Sequence, residues 1–170
     1  MRFFLSLSFF LLFYTSSIGQ NKLNRTLKNL NKETIPYIYV NEAILSEGAL
    51  FLDTRKKEEF EVSHIKNAIW VGYKAFEKDA IPSKVADKNS KIIVYCSIGV
   101  RSEDIGEKLL KLGYSNVKNL YGGIFEWKNQ GHAVYTPQGN KTERVHAFNK
   151  HWGKLLTKGE KVYDSISSKD

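Results

Sequence analysis

Apolar and polar positions fall into alternating blocks along most of this chain. Ala49 to Asp53 is a continuous apolar run closing on an acid, and Lys91 to Tyr95 (KIIVY) is a second, stronger one. Short runs that are apolar at consecutive positions read as strands buried on both faces of a parallel sheet. Tyr37 to Val40, Ala68 to Val71 and Val117 to Leu120 read as further short strands. Between them the period changes. Arg101 to Leu112 sets Ile105, Leu109 and Leu112 on one helical face, and Gly113 follows where a C-cap belongs. Lys56 to Val62, Tyr73 to Lys78 and Gly122 to Gln130 are expected to be shorter helices. Strands alternating with helices predict an α/β fold built from right-handed β-α-β units, a parallel sheet with helices on both faces. Such sheets bind ligands at the carboxyl ends of their strands.

The two ends of the chain follow other patterns. Met1-Arg2 is a positive start, Phe3 to Tyr14 is apolar, and Ser17 and Gly19 are small residues before Gln20. This is the three-part pattern of a secretory signal peptide over 1–19, with cleavage expected after Gly19. The apolar run falls short of the roughly 20 residues needed to span a bilayer. The mature chain is therefore expected in a periplasm or secreted, with no transmembrane span. In the extension over 20–36, Leu23, Leu27 and Leu30 are spaced for a short amphipathic helix ended by Pro36. In the extension over 135–170, Pro137 to Asn140 reads as a turn. Val145, Phe148, Trp152 and Leu155 then recur at i, i+3, i+7 and i+10, which predicts an amphipathic helix edged by Lys150, Lys154, Lys158 and Lys161. That helix is expected to pack on the domain, or to dock a protein partner or an anionic membrane. Ser165 to Asp170 is expected to fray.

Composition adds little about the fold and more about partners. The chain is 170 residues, 42% hydrophobic and 26% charged, which excludes a wholly disordered or collagen-like protein. The net charge of +8 permits nucleic acid, an anionic membrane surface or a small anion as partner. The basic residues are dispersed and not interleaved with aromatics, so a nucleic-acid platform is not expected. One Cys excludes an internal disulfide, and the four His residues have no metal-ligand spacing, so no metal or cofactor is expected.

That single cysteine carries the chemistry. Cys96 closes the strongest strand and precedes the best helix. The loop Ser97-Ile98-Gly99-Val100-Arg101-Ser102 can turn its amides into an anion cradle, the helix start adds partial positive charge, and Arg101 adds a full one. All three favour a thiolate. A lone Cys can also be a small buried hydrophobe, but strand end, glycine loop, arginine and helix start coincide here.

Three segments together resemble the rhodanese-like domains over about 37–134. The first is Leu52-Asp53-Thr54-Arg55, Glu58-Glu59-Phe60 and His64-Ile65-Lys66-Asn67-Ala68. The second is the Cys96 loop. The third is Leu120-Tyr121-Gly122-Gly123 through Trp127 to Gly131. The resemblance implies a three-layer α/β fold with about five parallel strands. It implies a sulfurtransferase, of the thiosulfate:cyanide type, in which Cys96 takes a sulfane sulfur from a small anionic donor such as thiosulfate or a persulfide. The sulfur then passes to a thiol or cyanide, and the loop amides from Ser97 to Ser102 cradle the persulfide. Arg101 either binds the anionic end of a donor or pairs with a carboxylate such as Glu59. The acidic segment packs close to the loop in this family, which favours the pair. Asp53, Arg55 and His64 are expected to support the fold. Four residues separate Cys96 from Arg101, where related phosphatases and arsenate reductases have five, so sulfur is favoured over phosphate. Two departures stand out. Ser63 replaces a usual glycine, so strain is expected there if the turn needs positive φ. Ser97 stands where some thiosulfate-using members carry a basic residue, and Ile98 and Val100 make the mouth apolar, which suits an organic or protein persulfide. The alternatives are a non-catalytic binding module on the same fold and a persulfide carrier dependent on a partner.

Overall fold

The computed structural model describes residues 22–164. The expected signal peptide, and the expected fraying of Ser165 to Asp170, lie outside the described residues. Five strands form one parallel sheet in the order β1-β5-β4-β2-β3, namely β1 (Tyr37–Ile38), β2 (Leu50–Asp53), β3 (Ile69–Trp70), β4 (Ile92–Tyr95) and β5 (Val117–Leu120). Register pairs Asp53 with Tyr95 and Val94 with Asn119, so the carboxyl ends of the three central strands lie level. The helices are α1 (22–30), α2 (Val40–Ala43), α3 (Lys57–Val62), α4 (Ile81–Lys84), α5 (Val100–Lys111) and α6 (Gly123–Asn129).

The apolar runs take this form because both faces of the sheet are covered. All four residues of β4 are buried, and the pleat sends them to opposite sides. Ile92 and Val94 pack with Ile105 and Leu109 of α5, while Ile93 and Tyr95 pack with Ile124 and Phe125 of α6. Gly113 has φ of 88° at the end of α5, as the C-cap spacing predicts.

Three expectations are corrected. Tyr73 to Lys78 is a turn, not a helix; the helical segment begins later, as a 3-10 turn at Lys78–Ala80 followed by α4. Pro82 sits in the first turn of α4, where its missing N–H costs nothing. Ser63 is extended at φ −171°, so no strain arises from the absence of glycine; the positive φ of this segment falls on Asn67, at 59°. The amphipathic helix expected from Val145 to Leu155 is instead β8 (Arg144–His146), a loop, and a 3-10 turn at Trp152–Leu155. Phe148 breaks the helical period with φ of 63°, held by the Asn149 amide donating to the Ala147 carbonyl at 2.8 Å. Asn149 Oδ1 then caps the 3-10 turn by accepting from the His151 and Trp152 amides at 2.9 and 3.1 Å. β8 pairs in parallel with β9 (Glu160–Val162), and a hairpin of β6 (Val134–Tyr135) and β7 (Lys141–Thr142) encloses the predicted turn. The apolar positions of the tail are nonetheless used. Val145, Leu155 and Leu156 join the same core as Leu23 and Leu27 of α1. No helix among the described residues is long and apolar enough to cross a membrane.

Candidate active site around Cys96

Cys96 follows the last residue of β4 and is 1% exposed. The chain turns sharply after it because Gly99 adopts φ of 104°, and α5 begins at the next residue. A side chain at Gly99 would be strained by that φ, and its Cβ would press to 3.3 Å from the Leu120 carbonyl. The turn brings the Gly99 amide to 3.1 Å from Cys96 Sγ as a hydrogen-bond donor. The loop carbonyls face away. Those of Cys96 and Ser97 accept from the Ile124 and Phe125 amides at 2.9 and 3.1 Å. Gly123 makes this approach feasible, since a Cβ there would collide with the Cys96 carbonyl. With these carbonyls turned out and the Gly99 amide turned in, the loop is shaped to stabilise negative charge on the sulfur.

The electrostatics favour the thiolate. Burial raises the cost of ionising the thiol, but the Arg101 charge and hydrogen bonds from Ser102 and Gly99 outweigh it and hold Cys96 below its ordinary pKa. Arg101 is in turn fixed from two sides. Its guanidinium donates to both Glu59 oxygens at 2.8 and 2.9 Å and to Ser97 Oγ at 3.0 Å, and it lies 5.0 Å from the Phe148 ring centroid. Burial works against ionised Glu59. Hydrogen bonds and charge from Arg101, with the Arg55 charge and the Lys56 amide, overcome this and lower its pKa to about 2. Of the two expected options for Arg101, the pair with Glu59 is formed, and the side chain also lines the cavity in front of Cys96.

The other expected residues fall elsewhere. Asp53 and Arg55 form a fully buried pair, with Nη2 at 2.6 Å from Oδ2 and also 2.6 Å from the Ser63 carbonyl. That pair clamps the segment after β2 to the segment after α3. His64 stacks on Phe60 at 4.0 Å, its Nδ1 lies 3.1 Å from the Phe60 carbonyl, and burial lowers its pKa. His64 does not line the Cys96 cavity.

Several residues of the site escape a reading by motif. The cavity in front of Cys96 holds about 190 Å³ and is walled by Leu30, Ile98, Val100, Phe148 and Trp152. Leu30 comes from the N-terminal extension, and Phe148 and Trp152 come from the C-terminal one. Asn119 and Asn31 both donate to the Gly99 carbonyl, at 2.8 and 2.9 Å, and fix the loop's central peptide. Ser102 Oγ donates to Asn119 Oδ1 at 2.8 Å. Glu103, in the first turn of α5, accepts from the Lys32 and Thr34 amides at 3.0 and 2.8 Å, so the N-terminal extension is fastened to the cysteine loop. The signal for Asn119 was a polar residue two positions after Val117, on the strand face where alternation calls for an apolar one. For Leu30 it was the third position of the leucine spacing in 20–36.

Comparison with known proteins agrees with this geometry. The family model described as "Rhodanese-like domain" matches residues 37–130, more than half of the chain. The chain belongs to the rhodanese-like domain family. Among curated proteins it is 41% identical over 91 residues to a tRNA uridine(34) hydroxylase of Hamiltonella defensa, covering 52% of this chain and 26% of that protein. The chain thus spans about a quarter of the length of such relatives. Among solved structures it superposes on the thiosulfate sulfurtransferase of Pseudomonas aeruginosa with a TM-score of 0.56 at 23% identity, covering 74% of this chain and 24% of that one. It also superposes on the BH2092 protein of Bacillus halodurans with a TM-score of 0.54 at 24% identity, covering 68% and 88%. At these identities the structural likeness speaks to the rhodanese fold. Both extensions that wall the cavity, 22–36 and the segment beyond 130, lie outside the family match.

Proposed function

We propose that this rhodanese-like protein is an exported sulfurtransferase that works through a Cys96 persulfide. The observation that carries the reading is the Cys96 sulfur, buried at a cavity, receiving the Gly99 amide at 3.1 Å beneath the start of α5. The Cys96 thiolate attacks the outer sulfur of thiosulfate, the S–S bond breaks, and sulfite leaves with the electron pair. An organic persulfide donor reacts in the same way and releases its thiolate. The terminal sulfur on Cys96 then carries the negative charge, and the amides of the Ser97–Ser102 loop hold it. A thiol or cyanide attacks that sulfur and regenerates the Cys96 thiolate. The reaction moves one sulfur with no net redox change and calls on no metal or cofactor. Arg101 favours the thiolate before each attack. The signal-peptide pattern of 1–19 supports action outside the cytoplasm.

The experiment is transfer of sulfur from thiosulfate or an organic persulfide to cyanide by the mature protein, beside Cys96→Ser. Turnover that the substitution abolishes is expected. Absence of turnover with all of these donors would overturn the sulfurtransferase reading in favour of a binding module. A second reading takes the name of the curated relatives as its guide: the 41% identity to a tRNA uridine(34) hydroxylase favours a role on tRNA. The one-quarter coverage and the export signal weigh against it. It predicts retarded migration of tRNA by the protein, which the sulfur-carrier reading does not.

A further inference from the structure

The Cys96 cavity has a larger neighbour. A second cavity of about 550 Å³ lies against Arg101 and Phe148, which line both. Arg55, Lys56, Lys57 and Lys74 contribute to its walls, with Glu58 as an opposing carboxylate. Two of the cations are already neutralised, Arg55 by Asp53 and Arg101 by Glu59. Lys56, Lys57 and Lys74 remain against Glu58, so the cavity keeps an excess of positive charge. Aromatic rings hold these cations in place. Lys57 Nζ lies 5.0 Å from the Trp70 ring centroid, and Lys56 Nζ lies 5.9 Å from that of Phe148. Arg55, fully buried, spends Nε and Nη2 on Asp53 and the Ser63 carbonyl. Its Nη1 is buried and has no hydrogen-bond partner among the described residues. That buried guanidinium stays with the clamp it forms, so the cations a ligand can reach in this cavity are the exposed Lys56, Lys57 and Lys74.

The first cavity is the opposite in character, walled largely by apolar side chains around one sulfur. We propose that the two cavities together bind one class of substrate, an organic thiol or its persulfide with a doubly charged oxyanion end, either two carboxylates or one phosphate. Its sulfur end enters the apolar cavity at Cys96. Its anionic end sits beyond Phe148 among Lys56, Lys57 and Lys74. This rests on the sulfurtransferase reading and names its substrate class. The chemical step is the one given above: Cys96 thiolate and R–S–S⁻ become Cys96–S–S⁻ and R–S⁻, with one S–S bond made and one broken and no proton gained or lost. Phe148 lines both cavities between anionic recognition and the reacting sulfur, its ring centroid 5.9 Å from Lys56 Nζ and 5.0 Å from the Arg101 guanidinium carbon.

The test separates binding from turnover. The unreactive thioethers S-methylmercaptosuccinate (two carboxylates) and 2-(methylthio)ethyl phosphate are titrated calorimetrically into Cys96→Ser protein and into the same protein carrying Lys57→Gln and Lys74→Gln. At least one anion is expected to bind at one equivalent, with affinity about tenfold weaker after the double change. Which anion binds names the oxyanion. No binding of either, or equal affinity in both proteins, would overturn the proposal. With Cys96 intact, the persulfide of mercaptosuccinate is compared with that of uncharged 2-mercaptoethanol as donor. The ratio of their rates is expected to fall about tenfold in the double variant; an unchanged ratio overturns the proposal. Absence of reaction with both persulfides would instead count against the sulfurtransferase reading, and the titration would still decide the cavity.

Discussion

Two arginine–carboxylate pairs border the second cavity, and they do different work. Arg55 and Asp53 are each fully buried, joined by three side-chain hydrogen bonds and tied to the Ser63 carbonyl. Arg101 and Glu59 share a similar two-pronged contact, but Arg101 is 19% exposed and borders the cavity at Cys96. The first pair has little freedom to respond to a substrate and serves as a clamp. The second sets a charge beside the sulfur while its carboxylate partner is almost wholly buried. Identical chemistry thus gives a strut in one place and a tuning element in the other. Distance from the reactive atom and access to solvent make the difference.

The widest separation between the pairs is expected from Asp53→Ala. It strands a fully buried guanidinium, and loss of one partner of a buried ion pair typically costs about 3–5 kcal/mol. Chemical denaturation should show that loss, and any activity lost should follow the unfolded fraction. Acid acts next on the second pair. Glu59 has its folded pKa lowered to about 2 from 4.5, so its contribution is present above pH 4.5 and is lost as pH falls toward 2. The wild type should lose on the order of 3 kcal/mol across that window through this group. Glu59→Gln should show a shallower slope of stability against pH there. Arg101→Met is smaller in stability, about 1–3 kcal/mol, because the Glu59 carboxylate left behind keeps the Lys56 amide and the Ser97 hydroxyl as donors. Its mark is functional: about tenfold slower persulfide formation at neutral pH, recovered as the pH rises, because the thiolate loses its nearest cation. A flat pH profile in that variant would reduce Arg101 to a second strut. The smallest effect is expected from Phe148→Gly. Relief of a left-handed backbone offsets the lost ring contacts, so the net change in stability should stay within about 1 kcal/mol. The thermal midpoint checks this.

How much of this was legible in the sequence follows from whether the determinant is local. β4 was evident because four consecutive buried apolar residues admit few other readings. The cysteine loop was evident because strand end, Gly99 and helix start adjoin one another in the chain. The tail misled because apolar spacing alone does not reveal Phe148 at positive φ, a conformation enforced by the turn around it and by Asn149. Gly153 and Gly159 inside and after that segment were the available warning. The cavity walls were not legible, since Leu30, Cys96 and Phe148 meet only through tertiary packing of segments far apart in sequence. The Asn31 and Glu103 contacts that fasten the N-terminal extension belong to the same category.

The central claim is that Cys96 accepts and holds a sulfane sulfur. Its most direct test is the intact mass of the mature protein after exposure to thiosulfate and to an organic persulfide, before and after cyanide. A gain of one sulfur atom on Cys96 is expected, removed by cyanide and absent from Cys96→Ser. An unchanged mass in folded protein whose Cys96 is free and reduced would contradict it.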